Sequence, residues 1–330
     1  MKLTLLVDIV GAGLMTGGIY ALVALGLNLQ YGLMRGLNVA HGEFLMIGAY
    51  LTSLTLAILA DVTLTVAWAF FSGPTRYLSL ATGAFFGAGA YVTAIAGKGL
   101  AWPLPVVAAG GVGAVMALGV GALALRLRGP YFAVFTFGLA ELTKHTLIWY
   151  ETSVTGTVGR LILTPPGPLV LYYTVLALAV LAVATSVLLR RSRWGYALVG
   201  IGADEERAAT LGIDTTRVKV VTFALSAAFM AAAGAAMAPR WTYLDPQVFN
   251  PLVSFQTVIM ALVGGTGTVI GPIAGAVFLG LASEILLLKF RYGYMLALGL
   301  TLIVVVLALP SGLAGLAARF QRRPSARQER

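Results

Sequence analysis

Cysteine is absent from the 330 residues, which excludes disulfides, thiol catalysis and thiolate metal sites together. Charge is nearly as scarce: 10% of the residues are Asp, Glu, Lys or Arg, against about 25% in a soluble domain. With 59% hydrophobic residues and a mean hydropathy of +0.92, a water-soluble fold is excluded. Histidine occurs only twice. No His-x-x-x-His pair, Ser-His-Asp order or intramembrane carboxylate pair stands at a useful spacing, so neither a metal centre nor a catalytic residue is expected. Prolines are few, 13 against 40 glycines, and the glycines are spread through the apolar runs, as helices packed through small residues require. The net charge of +10 does not imply a nucleic-acid partner. The basic residues sit in short breaks between apolar runs and in the tail, where they orient a chain in a lipid membrane. The stretch after Met1-Lys2 lacks the strongly basic start of a cleavable signal, so the first apolar segment is expected to stay.

Long apolar runs are what the chain has in abundance. Crossing the hydrocarbon takes about 20 residues, which predicts helices over 5–29, 43–60, 78–96, 104–125, 130–150, 168–189, 219–239, 268–288 and 292–312. Two shorter runs, 62–72 and 252–264, fit broken or re-entrant helices. The expected fold is all-α, a polytopic integral membrane protein of 9–11 transmembrane or re-entrant helices. Arg126 and Arg128, the stretch 190–219, and the tail with Arg319, Arg322, Arg323, Arg327 and Arg330 are the basic loops. The positive-inside rule places all of them in the cytoplasm and puts 151–167 and 240–251 outside.

One element is duplicated. Residues 32–50 match 73–91 at a constant offset of 41, pairing Arg35 with Arg76, Gly42 with Gly83, Phe44 with Phe85 and Tyr50 with Tyr91. The first copy, with Gly18-Ile19-Tyr20-Ala21-Leu22 before it and Asn38-Val39-Ala40-His41-Gly42-Glu43-Phe44 within it, resembles the opening of the H-type permease subunit of branched-chain amino-acid ABC importers. The second, Leu78-Ser79-Leu80-Ala81-Thr82-Gly83-Ala84-Phe85, is similar to the equivalent part of the M-type partner. That likeness continues to residue 316 through Arg126-Leu127-Arg128-Gly129-Pro130-Tyr131, the stretch 195–217, and Gly264-Gly265-Thr266-Gly267-Thr268 with Gly271-Pro272. Thr82 stands where the M-type pattern has a histidine, and His41 keeps one in the first copy. The resemblance divides the chain into an H-type-like helical pair at 1–60, an M-type-like permease domain at 61–318 and a basic tail at 319–330.

The resemblance implies a multi-pass permease subunit in the plasma membrane of a prokaryote, the inner membrane if Gram-negative. Its partners would be ABC ATPase subunits, a second permease subunit in a hetero- or homodimer, and a periplasmic or extracellular solute-binding protein. The solute implied is a branched-chain or other small neutral amino acid. Urea or a short amide is the alternative, as is a secondary transporter or channel without an ATPase. The chain would bind no cofactor, since ATP belongs to the partner subunits.

Read by themselves, Asp204, Glu205 and Glu206 favour the first turn of a short helix at 203–211, with Gly212 as its C-cap. The resemblance makes this the cytoplasmic coupling helix, with Asp204, Glu205, Glu206 and Arg207 exposed and Ala208, Ala209 and Leu211 offered to an ATPase groove. The glycines Gly264, Gly265, Gly267 and Gly271 lack the Gly-Lys-Ser/Thr ending of a nucleotide loop, so they are expected to serve a tight turn or broken helix near the translocation path. The duplicated residues His41, Gly42, Glu43, Gly83 and Phe85 are candidates for the same path, with a capping or interfacial role the alternative for His41. Among ionisable residues in or beside apolar runs are Asp8, Glu43, Glu141, Lys144, His145 and Glu284, and Glu141 is spaced to satisfy Lys144 or His145 on one helix face. In this cysteine-free chain, cysteines placed at Ser192 and Ser325 are expected to resist an impermeant thiol reagent in intact cells. Labelling of either from outside overturns the topology.

Overall fold

The structure, a computed structural model, describes residues 10–28 except 12, 15 and 27, then 41–97, 99–162, 165–289, and 296, 299 and 312–315. Most of the predicted span 292–312, Asp8 and the basic tail beyond 315 lie outside the described residues. The contacts define two units, Met1–Thr55 and Leu56–Arg330. In the first, α1 (Thr16–Gly26) is a short apolar helix. The helix α2 is unbroken from His41 to Thr75. The separate helices expected at 43–60 and 62–72 are therefore one. Asp61 had marked their boundary, yet a single carboxylate does not stop a helix whose backbone bonds are internally satisfied.

Helix starts follow local chemistry. Pro130 opens α5 (Pro130–Tyr150), Pro168 opens α6 (Pro168–Arg191) and Pro251 opens α10 (Pro251–Gly264), each at a position whose N–H has no helical partner. Side-chain oxygens cap three starts: Ser192 accepts from Gly195 N at the start of α7 (Arg193–Ala203), Asp214 from Arg217 N at α9 (Thr215–Met237), and Asn250 from Leu252 N at α10 as well. Helices α4 (Leu104–Ala124) and α11 (Ile270–Lys289) complete the long spans. By contrast α3 (Thr82–Ala96), at 15 residues, and α10, at 14, are shorter than a bilayer requires. The helix expected from residue 78 begins four residues later.

The apolar spans sort into an inner and an outer set. In its most apolar window α9 is 72% buried, and the long span ending at Thr75 is 67% buried, against 28% for α4, α6 and α11. The last three present most of their surface outward, as lipid-facing helices do. Small residues let α9 take the centre: Ala231, Ala232, Ala233, Ala235 and Ala236 are all buried, and Gly234 lies against the backbone of Phe86 while Gly89 lies against that of Ala231. Such backbone contact gains dispersion energy without needing a hydrophobic drive between helices. Around Phe223 of α9 stand Phe71 of α2, Phe85 of α3 and Phe132 of α5, with ring centroids 5.1, 5.6 and 6.1 Å away.

The ends of the bundle agree with the charge pattern. Arg160–Leu161 (β1) pairs antiparallel with Tyr243–Leu244 (β2), placing 151–167 and 240–251 at one end. Buried Glu151 holds that loop by accepting from Gly159 N at 2.7 Å and Arg160 Nε at 2.9 Å. At the other end the Arg190 guanidinium donates to the carbonyls of Thr266 and Gly267 at 2.7 and 2.8 Å, bringing the α10–α11 turn to the basic 190–219 stretch. Short as it is, α10 leads from the first end to the second.

Gly89→Val forces a side chain into the Ala231 carbonyl and is expected to cost at least the ~1–3 kcal/mol of an overpacked core. Gly111→Val, at a position with nothing within 4 Å, is expected to be tolerated. Thermal unfolding of both variants in detergent checks the pair.

Candidate functional site

At the basic end the chain makes a compact double turn. After α7 the backbone extends at Asp204, whose carboxylate accepts from the N–H groups of Glu206 and Arg207 at 3.0 and 3.1 Å and so starts α8 (Glu205–Thr210). Gly212, with φ of 84°, ends it: Ile213 N–H reaches the Ala208 carbonyl and Gly212 N–H that of Ala209, a Schellman closure. Leu211 at that closure is 82% exposed. Its apolar side chain stands free beside α8, and Ala209 is exposed next to it.

Glu205 was expected on the exposed side, and the structure turns it inward. Its carboxylate accepts from the buried Lys219 ammonium at 2.5 Å and from the Tyr77 hydroxyl at 2.6 Å. The same ammonium donates to the Leu125 carbonyl at 3.1 Å and lies 4.8 Å from the centre of the Tyr77 ring. Lys219 stands in the first turns of α9, where the helix dipole opposes a cation, so a carboxylate is needed beside it. Burial pushes the Glu205 carboxyl up, but the bonds from Lys219 and Tyr77 and the charges of Lys219 and Arg128 outweigh it and hold the group below its ordinary value. Ala208 is buried as well, so the face left for a partner is narrower than expected, carried by Ala209 and Leu211. Glu206 does face solvent and pairs with exposed Arg128 at 3.0 Å, while Arg207 pairs with Asp204 at 2.9 Å.

Tyr77 begins the most unusual stretch of backbone. After α2 ends, Arg76 takes a left-handed φ of 60° and residues 76–81 run without helix, Tyr77, Ser79 and Ala81 buried. Non-helical backbone at membrane depth has to find partners in neighbouring protein. Trp68 Nε1 donates to the Ser79 carbonyl at 2.8 Å, Leu80 N–H donates to Thr136 Oγ1 at 2.9 Å, and Gly83 N–H donates to Ser254 Oγ at 2.8 Å. Gly83 therefore sits at a broken helix, with the Asn250 carbonyl 2.9 Å from where a Cβ would be.

The other path candidates separate. Phe85 is fully buried in the aromatic cluster around Phe223, on the face of its helix turned to α9. Gly265, with φ of 92°, makes the tight turn after α10, while Gly264 and Gly271 let α10 and α11 touch backbone to backbone. Gly267 offers its carbonyl to Arg190. These four glycines build the turn at the basic end. His41 is the first described residue of α2 and Glu43 follows two positions on; the His41 side chain lies outside the described residues. On α5, His145 meets Glu141 at 3.5 Å as the spacing predicted.

At the opposite end is a cavity of about 480 Å³ beneath the 241–248 segment. Asp61 of α2, Asp245 and Gln256 meet apolar walls from Phe86, Met237 and Val253 there. Asp61 is the site residue that the sequence reading missed, because it fell at the supposed gap between two helices. Measuring 33 residues from Glu43 to Thr75 as one span would have exposed a carboxylate near its middle.

With that geometry in hand, similarity to known proteins can be assigned. A family model described as branched-chain amino acid transport system / permease component matches residues 9–62 and 57–309. The high-affinity branched-chain amino acid transport system permease protein LivH of Escherichia coli (strain K12) is 27% identical over 308 residues, covering 92% of this chain and 93% of that one. LivM of the same strain is 28% identical over 327 residues, covering 89% of this chain and 67% of its own. The fructose import permease protein FrcC of Rhizobium meliloti is 26% identical over 54% of each chain. No solved structure matches the chain.

Glu205→Gln leaves the Lys219 charge buried without its counterion and is expected to cost about 3 kcal/mol, with most of it recovered when Lys219→Met is added. The lowered Glu205 carboxyl contributes fully at neutral pH. Its contribution is lost only as pH falls from the ordinary value, 4.5, through the lowered one, so the gap between wild type and Glu205→Gln should stay level above that range and close below it. Unfolding in detergent across pH measures both effects.

Proposed function

The chain belongs to the branched-chain amino acid transport system permease family, and from that membership we propose that it forms the pathway of an ABC importer for branched-chain and other small neutral amino acids. Like its relatives it is a permease subunit of the membrane, so transport is its work. In this reading ATP is hydrolysed on separate cytoplasmic subunits, a solute-binding protein delivers the amino acid to the end formed by 151–167 and 240–251, and a second permease subunit completes the pathway.

One observation carries the coupling step. The α8 turn presents exposed Leu211 to the cytoplasm and ties its inner side, through Glu205, to Lys219 and Tyr77. A push on Leu211 from an ATPase subunit would reach the non-helical 76–81 segment through the hydrogen bond from Tyr77 to Glu205 and, in parallel, through Lys219, which donates to both. Gly202 of α7, lying against the Pro74 backbone, supplies a second contact at the last turn of α2, just before that segment. A transporter working without an ATPase has no use for such a link.

Leu211→Asp would bury an unpaired charge in the docking groove, a cost of several kcal/mol at the contact. Substrate-stimulated ATP hydrolysis and amino-acid uptake are expected to collapse while the variant inserts and purifies as before, because Leu211 supports nothing within the chain. A Leu211→Asp complex that assembles, hydrolyses and transports normally returns the molecule to the secondary transporters.

A further inference from the structure

Asp61 lies within the 33-residue apolar helix from Glu43 to Thr75, 14 residues before its end, or about 21 Å at 1.5 Å per residue. That depth is inside the hydrocarbon, where a carboxylate is costly and persists by serving a partner. Among the described residues it makes no hydrogen bond or ion pair, though Glu205, Glu151 and Glu141 all have basic partners. It is half-buried, and it lines the 480 Å³ cavity.

The cavity is one-sided in charge. Asp61 and Asp245 are its carboxylates, and among the described residues no lysine, arginine or histidine lines it. Asp245 already caps the turn at 246–249 by accepting from Gln247 N–H at 2.7 Å, which leaves Asp61 as the carboxylate free for a guest. Opposite stand Phe86, Met237 and Val253, an apolar wall for a hydrocarbon side chain, and the Gln256 amide can donate to an anionic end. The size lies within the ~300–1,000 Å³ range of small-molecule sites.

Resting on the permease reading, we infer that Asp61 receives the α-ammonium group of the amino acid in transit, while Phe86, Met237 and Val253 hold its side chain. The guest class is thus a primary ammonium with an apolar tail. Urea, amides and sugars can donate hydrogen bonds to this carboxylate but bring no positive charge to balance it in a desolvated site.

The complete importer, reconstituted in proteoliposomes with its ATPase and binding protein, tests this. Asp61→Asn should lower leucine uptake about tenfold or more, the size of one lost charge-assisted hydrogen bond, while ATP hydrolysis stimulated by the loaded binding protein persists. Asp61→Glu should recover part of the uptake. On the unaltered complex, leucine and 3-methylbutylamine should raise the unfolding temperature and 4-methylpentanoate, which lacks the ammonium, should not. Unchanged leucine uptake by Asp61→Asn overturns the assignment and leaves the importer reading standing. So does equal stabilisation by the acid and the amine, a result that does not depend on how the variant folds. An unaltered complex that imports no leucine at all is a different failure, that of the importer reading itself.

Discussion

Three parts of this chain meet at one ammonium group. Lys219 is buried at the start of α9 and donates to the Glu205 carboxylate, the Tyr77 hydroxyl and the Leu125 carbonyl. A buried ion pair of this kind adds little net stability, because desolvation offsets the attraction, yet breaking it is costly. That asymmetry suits a joint. The pair fixes where α8 sits relative to α9, a separation of the two would leave a charge unpaired, and the bonds to Tyr77 and Leu125 tie the non-helical stretch and the end of α4 to the same ammonium.

The non-helical stretch is where the membrane imposes its second constraint. Lipid supplies no hydrogen bonds, so every backbone group that leaves a helix between 76 and 83 has to be met by protein. Trp68, Thr136 and Ser254 meet the groups at 79, 80 and 83 from three different helices. Small displacements of α5 or α10 would therefore change the bonding of this segment directly. The half-length helices α3 and α10 start beside it, Gly83 N–H bonding Ser254 in the first turn of α10, and such discontinuous helices are where transport proteins place the parts that move. Joint and break are consecutive along the chain, since Tyr77 belongs to both.

Much of this was legible before any coordinates. Apolar run length sets membrane spans because the bilayer has one thickness, and the basic loops set their sides because charge crosses poorly; the β1–β2 pairing and the Arg190 contacts agree with both. Gly212 was recognisable as a helix stop, since its position after Leu211 calls for a left-handed residue.

What the sequence by itself determined is the all-helical membrane class and the family, both of which depend on composition, run length and local motif. Only the tertiary structure decided that Glu205 turns inward to Lys219, that Phe85 belongs to the core, that 76–81 is not helical and that Asp61 faces a cavity. Each of those depends on a residue far along the chain: Glu205 and Lys219 are separated by a turn and the start of a helix, and Tyr77 lies 142 residues from Lys219. Periodicity along one helix says which face a residue occupies, but whether that face meets lipid, a counterion or an opening is set by how the helices pack.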